Sequence, residues 1–401
     1  MKVCILRSYL GSDRHLLLDA AIPDVASWVR SVPDDSWALG TTETNHPRDL
    51  RVLAQYAGLT IDWEVPERFR HADEESNTDS SRFIQTVPRD VMISHIRGIR
   101  DKAESLEMMS HDSYINSNLV VTRRQLGSIR EVRIDPRVWS ESTQEDNSPA
   151  LQSFEPNADG LADAVVYDQL GSLTGRLTVR SGPQILTLRR DMRQVMRATR
   201  RGRRLLMADF VSHEPRVALC LDGGDPPLDI YGWFKEEVMP GVTRDAAKNA
   251  IISTLYGMSP STLSEKLDCT LVEAKIVNER VRVTFGLDKL EKELIRVHKN
   301  AGSISSAFGR KIKPSSASPG VLVNSYIQST AYDIAMAGFR QILDMCAASL
   351  IETFVFFYIH DAMIFEIPER DEDRLRRLLS VPISIPGCPG RYWLKIKEVT
   401  E

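Results

Sequence analysis

Three stretches of this chain have hydrophobic patterning strong enough to predict their elements. In RRLLMADFVSHEPRVALCL, Leu205, Leu206 and Met207 form a short apolar run that predicts a buried strand. Asp209 stands where that strand emerges, and Glu214 where a helix begins. TFVFFYIHDAMIFEIP carries two β-rich apolar runs flanking Tyr358, His360 and Asp361, which predicts two more strands. Between these regions, TRDAAKNAIISTLYGMS places Arg244, Lys248 and Tyr256 at helical spacing, so one helix would bring all three to one side and stop at Gly257.

The rest of the chain is punctuated more weakly. Residues 1–70 alternate short apolar segments with Pro and Asp turns, and HADEESNTDSS at 71–81 reads as a linker. Residues 86–112 have helical spacing, 123–137 is a basic stretch, and SESTQEDNSP at 140–149 reads as an acidic exposed loop. FGRKIKPSSASPG at 308–320 predicts a basic turn.

The chemistry follows from where the charges fall. An ionised Asp inside an apolar run is costly unless it is paired or binds a cation, which singles out Asp361. Two carboxylates from separate strands suit phosphoryl transfer by two metal ions about 3.5–4 Å apart. Arg and Lys four residues apart are by themselves an ordinary solvated helix face. In the company of two Asp-bearing strands, the same face fits a nucleoside triphosphate.

These segments, in this order, resemble the motifs of family A DNA polymerases. TGRL at Thr174–Leu177 and MRQVMRA at Met192–Ala198 resemble two upstream elements; ADFVSHEPR and YIHDAMIFEI resemble the two catalytic motifs. RDAAKNAIISTLYGMS resembles the nucleotide-binding helix, and Asn324 and Gln328 in VNSYIQSTAYDIA resemble the family's NxxxQGTAAD helix. The resemblance covers about residues 166–401 and implies an α+β right-hand architecture: antiparallel-sheet palm, helical fingers and a reduced helical thumb. It implies a palm from 166–220 and 321–401, fingers from 221–320, a thumb-like region at 86–165, and an N-terminal region of unknown role at 1–85. It further implies a compact, phage-type DNA polymerase without a proofreading exonuclease, acting on primer-template DNA and dNTPs with two Mg²⁺ ions, for which Mn²⁺ could substitute. Any helicase, primase or clamp partner stays unassigned.

The same resemblance assigns the residues. Asp209, Asp361 and the Phe210 carbonyl would hold the metals, and Lys248 would be catalytic. Arg244 and Lys248 would neutralise the triphosphate, and Tyr256, Glu214 and Ile252 would shape the sugar and base pocket. Arg176, Asn324, Gln328 and His360 would touch primer and template. Two departures bear on function. Ala362 follows Asp361 where the family usually has Glu, and Ile252 replaces the Phe or Tyr of DNA-synthesising members. Single-subunit RNA polymerases also lack that aromatic, so they remain an alternative, as does a non-catalytic relic that binds primed DNA. Glu214 favours DNA synthesis, because the resemblance makes it the bulky residue that blocks a ribose 2′-hydroxyl.

Composition sets bounds. The 401 residues, 42% of them hydrophobic, can build a substantial core, and the net charge of −4 does not advertise a nucleic-acid binder. Local charge does, since eight of the sixteen residues from Arg189 to Arg204 are Arg, which suits phosphate contacts. Five scattered Cys have no metal-ligand spacing and predict free thiols in a reducing cytoplasm. The sequence has no signal peptide and no run of eighteen apolar residues, which predicts a cytoplasmic protein with no membrane association, in the host cytoplasm if phage-encoded. WALGTTET at Trp37–Thr44 is faintly similar to the DTET strand of 3′–5′ exonucleases, but Thr41 or Thr42 stands where the first carboxylate belongs, and coincidence is the better reading.

Overall fold

The computed structural model describes residues 1–10, 12–19, 26–65 and 87–399; the linker expected at 71–81 lies outside them. The chain divides into two compact units, Met1–Gly127 and Ser128–Glu401.

The first unit is built on a four-stranded sheet of β1 (Lys2–Ile5), β2 (His15–Asp19), β3 (Ala26–Val29) and β4 (Trp37–Leu39), in the order β3-β2-β1-β4. β4 runs parallel to β1, and the other pairs are antiparallel. Asp49 caps helix α1 (Leu50–Tyr56) by accepting from the backbone of Arg51 and Val52, and it also accepts from the Thr44 hydroxyl. Within the WALGTTET segment, Glu43 pairs with Arg123 at 2.8 Å. Among the described residues no three His, Cys, Asp or Glu side chains cluster as metal ligands.

Helix α2 (Arg89–Glu104) lies in the segment whose spacing predicts it, and helix α3 (Val120–Leu126) follows. The boundary at 127/128 falls inside the region 86–165 that the family resemblance treats as one thumb-like piece. Arg123 bonded to Glu43 and Arg48 bonded to Asn116 tie residues before that boundary to the segment between β4 and α1. The acidic segment at 140–149 is not a loop throughout. A helix spans Pro136–Glu145 because Asp135 accepts from the backbone of Arg137 and Val138, and Pro136 occupies the first turn, where a missing N–H costs nothing. Its Ser142 is buried.

In the second unit, β5 (Arg203–Phe210), β6 (Phe354–Ile359), β7 (Ala362–Pro368) and β8 (Leu394–Glu398) form an antiparallel sheet in the order β6-β7-β5-β8. β6 and β7 read as nearly unbroken apolar runs because both faces are covered: Val355, Phe356, Phe357, Met363, Ile364, Phe365 and Ile367 are all buried. Helix α4 (His213–Leu221) leaves the end of β5.

The intervening segment is helical. Helices α5 (Arg244–Leu255), α6 (Pro260–Leu267), α7 (Leu271–Thr284) and α8 (Leu287–Ala301) bury Ala247, Ile251, Leu263, Val277, Phe285 and Leu294 in one core. Thr243, Ser259 and Thr270 cap α5, α6 and α7, and the Thr270 N–H donates in return to the Glu273 carboxylate. The basic turn becomes a short hairpin pairing Ile304–Ser305 with Lys311–Ile312. Helix α9 (Pro319–Ala348), 30 residues and about 45 Å long, returns the chain to the sheet. Gly257 (φ +74°) ends α5 against Gly320, and a Cβ on Gly257 would come within 2.8 Å of the Gly320 Cα, so this crossing excludes any side chain.

Candidate functional site

The ladder between β5 and β7 decides where the two acids lie. Asp209 pairs with Ala362, the neighbour of Asp361, and the Phe210 N–H donates to the Asp361 carbonyl at 3.0 Å. Both strand exits use left-handed backbone on residues that are not glycine, Ser212 (φ 50°) and His360 (φ 52°), at a cost of about 1–2 kcal/mol each. Identifiable bonds hold both exits. The Tyr167 hydroxyl donates to the Tyr358 carbonyl at 2.8 Å and accepts the Tyr358 N–H at 3.0 Å, while the Ser212 carbonyl accepts the Arg216 N–H at 2.9 Å.

Burial, and then the Asp209 charge, push the Asp361 carboxyl up to about 6. Arg176 and Lys397 act in the opposite direction. Lys397, on β8, donates to Asp209 Oδ2 at 2.5 Å. His213 is buried; desolvation lowers it to about 4, so it is neutral, and Nε2 donates to the Ala331 carbonyl at 2.7 Å. Burial likewise lowers His360, helped by the Arg176 charge.

A cavity of about 410 Å³ opens beside these acids. It brings together nine of the residues expected from sequence: Arg176, Asp209, Phe210, Glu214, Lys248, Ile252, Tyr256, His360 and Asp361. Glu214 is ion-paired with Arg176, and burial followed by the Glu214 charge raises the Tyr256 phenol. Arg176, expected to meet primer or template, is therefore engaged with the residue expected to meet the sugar.

Three expected residues do not line the cavity. Arg244 is exposed, held by Asp229 (Nη2 to Oδ1, 2.8 Å), with its guanidinium 5.3 Å from the Tyr231 ring centre. Asn324 and Gln328 lie on α9 at steps of four before Tyr332, which does line the cavity. The Asn324 Oδ1 is buried without a hydrogen-bond partner.

The expectation for the Arg-rich segment is corrected in part. Arg189, Arg197, Arg200, Arg203 and Arg204 are all ion-paired to acidic side chains of the same chain. Arg203 is buried against the fully buried Glu366 at 2.7 Å. Arg189 and Arg197 meet Asp191 and Asp135, whereas Arg200, Arg203 and Arg204 meet acids from residues 352–398, which local charge counting cannot see.

Sequence reasoning missed Ser212, His213, Pro215, Tyr231, Ala331, Tyr332 and Lys397. Tyr332 could have been found, because it continues the helical steps of Asn324 and Gln328. Lys397 carries no such signal. Asp209 and Asp361 offer only hard oxygen donors, and their mutual repulsion is what a bound cation relieves, so the pair fits a divalent ion of the magnesium or calcium kind.

Residues 97–384, more than half of the chain, match DNA polymerase family A. The chain belongs to that family. Its similarity to DNA polymerase theta of Drosophila melanogaster is 21% identity over 326 residues, covering 71% of this chain and 16% of the relative. Its similarity to the thermostable DNA polymerase I of Thermus aquaticus is 25% over 277 residues, covering 58% of this chain and 32% of the relative. This family A chain thus spans about a third or less of the length of these two relatives. A solved structure, the polymerase domain of Pol1 from M. smegmatis in complex with DNA primer-template and dNTP, shares the fold with a TM-score of 0.50 at 17% identity, covering 88% of this chain and 63% of that one. Among the described residues, no helix is long and apolar enough to cross a membrane.

Proposed function

We propose that this family A chain is a template-directed DNA polymerase that extends a primer 3′-hydroxyl with dNTPs. The observation that carries the reading is the convergence of Asp209, Asp361, Lys248, Glu214 and Tyr256 on one cavity. Family membership and the solved relative bound to primer-template and dNTP support it. The donor set suits Mg²⁺, with Mn²⁺ able to replace it; when bound, such ions activate the attacking hydroxyl and stabilise the leaving pyrophosphate.

In this reading Asp209 and Asp361 orient the metal-binding oxygens, and the Phe210 carbonyl adds a third. Lys248 neutralises phosphate charge as it builds in a loose transition state, where positioning and electrostatics supply most of the catalysis. Arg244 joins it by exchanging Asp229 for phosphate, a swing open to an exposed side chain. Glu214, held by Arg176, sits under the sugar beside Tyr256. Asn324, Gln328 and His360 contact primer or template. Five free cysteines agree with a reducing, cytoplasmic setting.

Ile252 favours a second reading, an RNA polymerase-like preference for NTPs. One experiment separates them: extension of a labelled primer-template with dNTP or NTP pools, by wild type and by Asp209→Asn and Asp361→Asn. DNA-pool extension that falls by several orders of magnitude in either variant while primer-template binding persists supports the proposal. Retention of more than about a tenth of the activity would sink the carboxylate assignment.

A further inference from the structure

The two strands flanking Asp209 give it opposite neighbours. On β7 it faces Ala362, which offers no polar atom, and on β8 it faces Lys395. Lys397 lies two residues further along β8, paired with Met207, so the strand alternation puts it on the same face as Asp209 and Lys395. A diagonal step of this kind is within reach of a long side chain, and the Lys397 ammonium spans it to meet Asp209 Oδ2 at 2.5 Å. Both side chains are about 70% covered, at 30% and 26% exposure, so water screens the pair only in part. The centre therefore contains two carboxylates, a methyl where a third carboxylate could stand, and a cation already seated on one metal-binding oxygen.

We propose that Lys397 is a positioning residue that occupies Asp209 Oδ2 before a divalent ion arrives, so that ion binding requires its ammonium to move off. This inference rests on the polymerase reading of the same site. It explains how a two-carboxylate centre holds Asp209 and Asp361 together without an ion: Lys397 offsets part of the repulsion. It also has a cost for ion affinity, because the ion must displace one positive charge and then sit beside it. A free ion gains little at such a centre. An ion carried in by a triphosphate gains more, since the phosphate oxygens complete its coordination and offer Lys397 a new anion to meet. Metal entry and nucleotide entry become linked, which keeps the carboxylate pair largely ion-free between turnovers.

The test is Mn²⁺ binding to the nucleotide-free protein, read by the loss of the free-ion EPR signal, with no turnover involved. Lys397→Gln should bind Mn²⁺ about five- to tenfold more tightly than wild type, whereas Lys397→Arg, which keeps the charge, should stay near wild type. In an Asp209→Asn background, the Lys397→Gln gain should disappear, because the effect acts through that carboxylate. Lys397→Met keeps the length of the stem and should repeat the Gln result if Gln perturbs the edge strand. Unchanged or weaker Mn²⁺ binding in both neutral variants overturns the proposal, as does a gain that survives Asp209→Asn. Either outcome leaves primer extension by the wild type untouched. By contrast, wild-type Mn²⁺ binding that is indifferent to Asp209→Asn and Asp361→Asn, together with absent extension, would remove the polymerase reading itself.

Discussion

Replacing Asp361 with Asn should stabilise the metal-free protein while abolishing its chemistry. The Asp361 carboxyl is buried, and desolvation together with Asp209 raises it from 3.8 to about 6. A carboxyl that holds its proton more tightly when folded contributes stability below its unfolded value, and that contribution is lost as pH rises through the folded one. The shift is about two units at about 1.4 kcal/mol each, so ionised Asp361 costs the fold about 3 kcal/mol at pH 7.5. At pH 5 the cost is about half of that, because the unfolded carboxyl is ionised while the folded one is mostly protonated. Asn carries no charge at either pH. In EDTA, Asp361→Asn should therefore melt about 3–6 °C above wild type at pH 7.5 and distinctly less above it at pH 5. The assay is paired thermal unfolding followed by circular dichroism, with Mg²⁺ titrated back in; the ion should raise the wild-type midpoint more than that of the variant. A variant no more stable than wild type at pH 7.5, or a gain independent of pH, would refute the claim that Asp361 is a strained carboxylate.

Other sites give separate outcomes. Glu214→Ala removes the carboxylate paired with Arg176 and should lower the dNTP-to-NTP ratio of single-nucleotide kcat/KM; an unchanged ratio would remove Glu214 from sugar selection. Ile252→Phe adds an aromatic surface in the cavity and should lower KM for matched dNTP more than it changes kcat. Tyr167→Phe leaves the Tyr358 N–H and carbonyl without their shared partner, so it should cost about 1–3 kcal/mol in denaturant unfolding. Because the same bonds hold the β6–β7 turn that carries Asp361, extension should fall as well, with primer binding preserved.

How much of this was legible in the sequence depended on the range of the interaction. Apolar runs at 205–207, 354–359 and 362–367 announced three of the four sheet strands, because burial on both faces leaves a continuous hydrophobic signature. Helix α5 and the positions of Lys248 and Tyr256 followed from local spacing, and so did the placement of Asp209 and Asp361 at strand ends, whereas Ile252 was singled out only by the family resemblance. The fourth strand, β8, went unannounced, since LKIKE on a sheet edge alternates too briefly to stand out. Composition also misjudged 140–145, where a single Asp–Pro cap turned an acidic stretch into a helix.

Charge partners lay beyond any local reading. Arg176 meets Glu214 across 38 residues, Lys397 meets Asp209 across 188, and Arg203 meets Glu366 across 163, so only folding decides which charges remain free for a ligand. The sequence by itself determined which residue types stand at the ends of strands and on one face of a helix, because those depend on periods of two and 3.6 residues. The tertiary structure alone decided which of those side chains are already spent on one another, because a salt bridge depends on distance in space and on the water excluded around it.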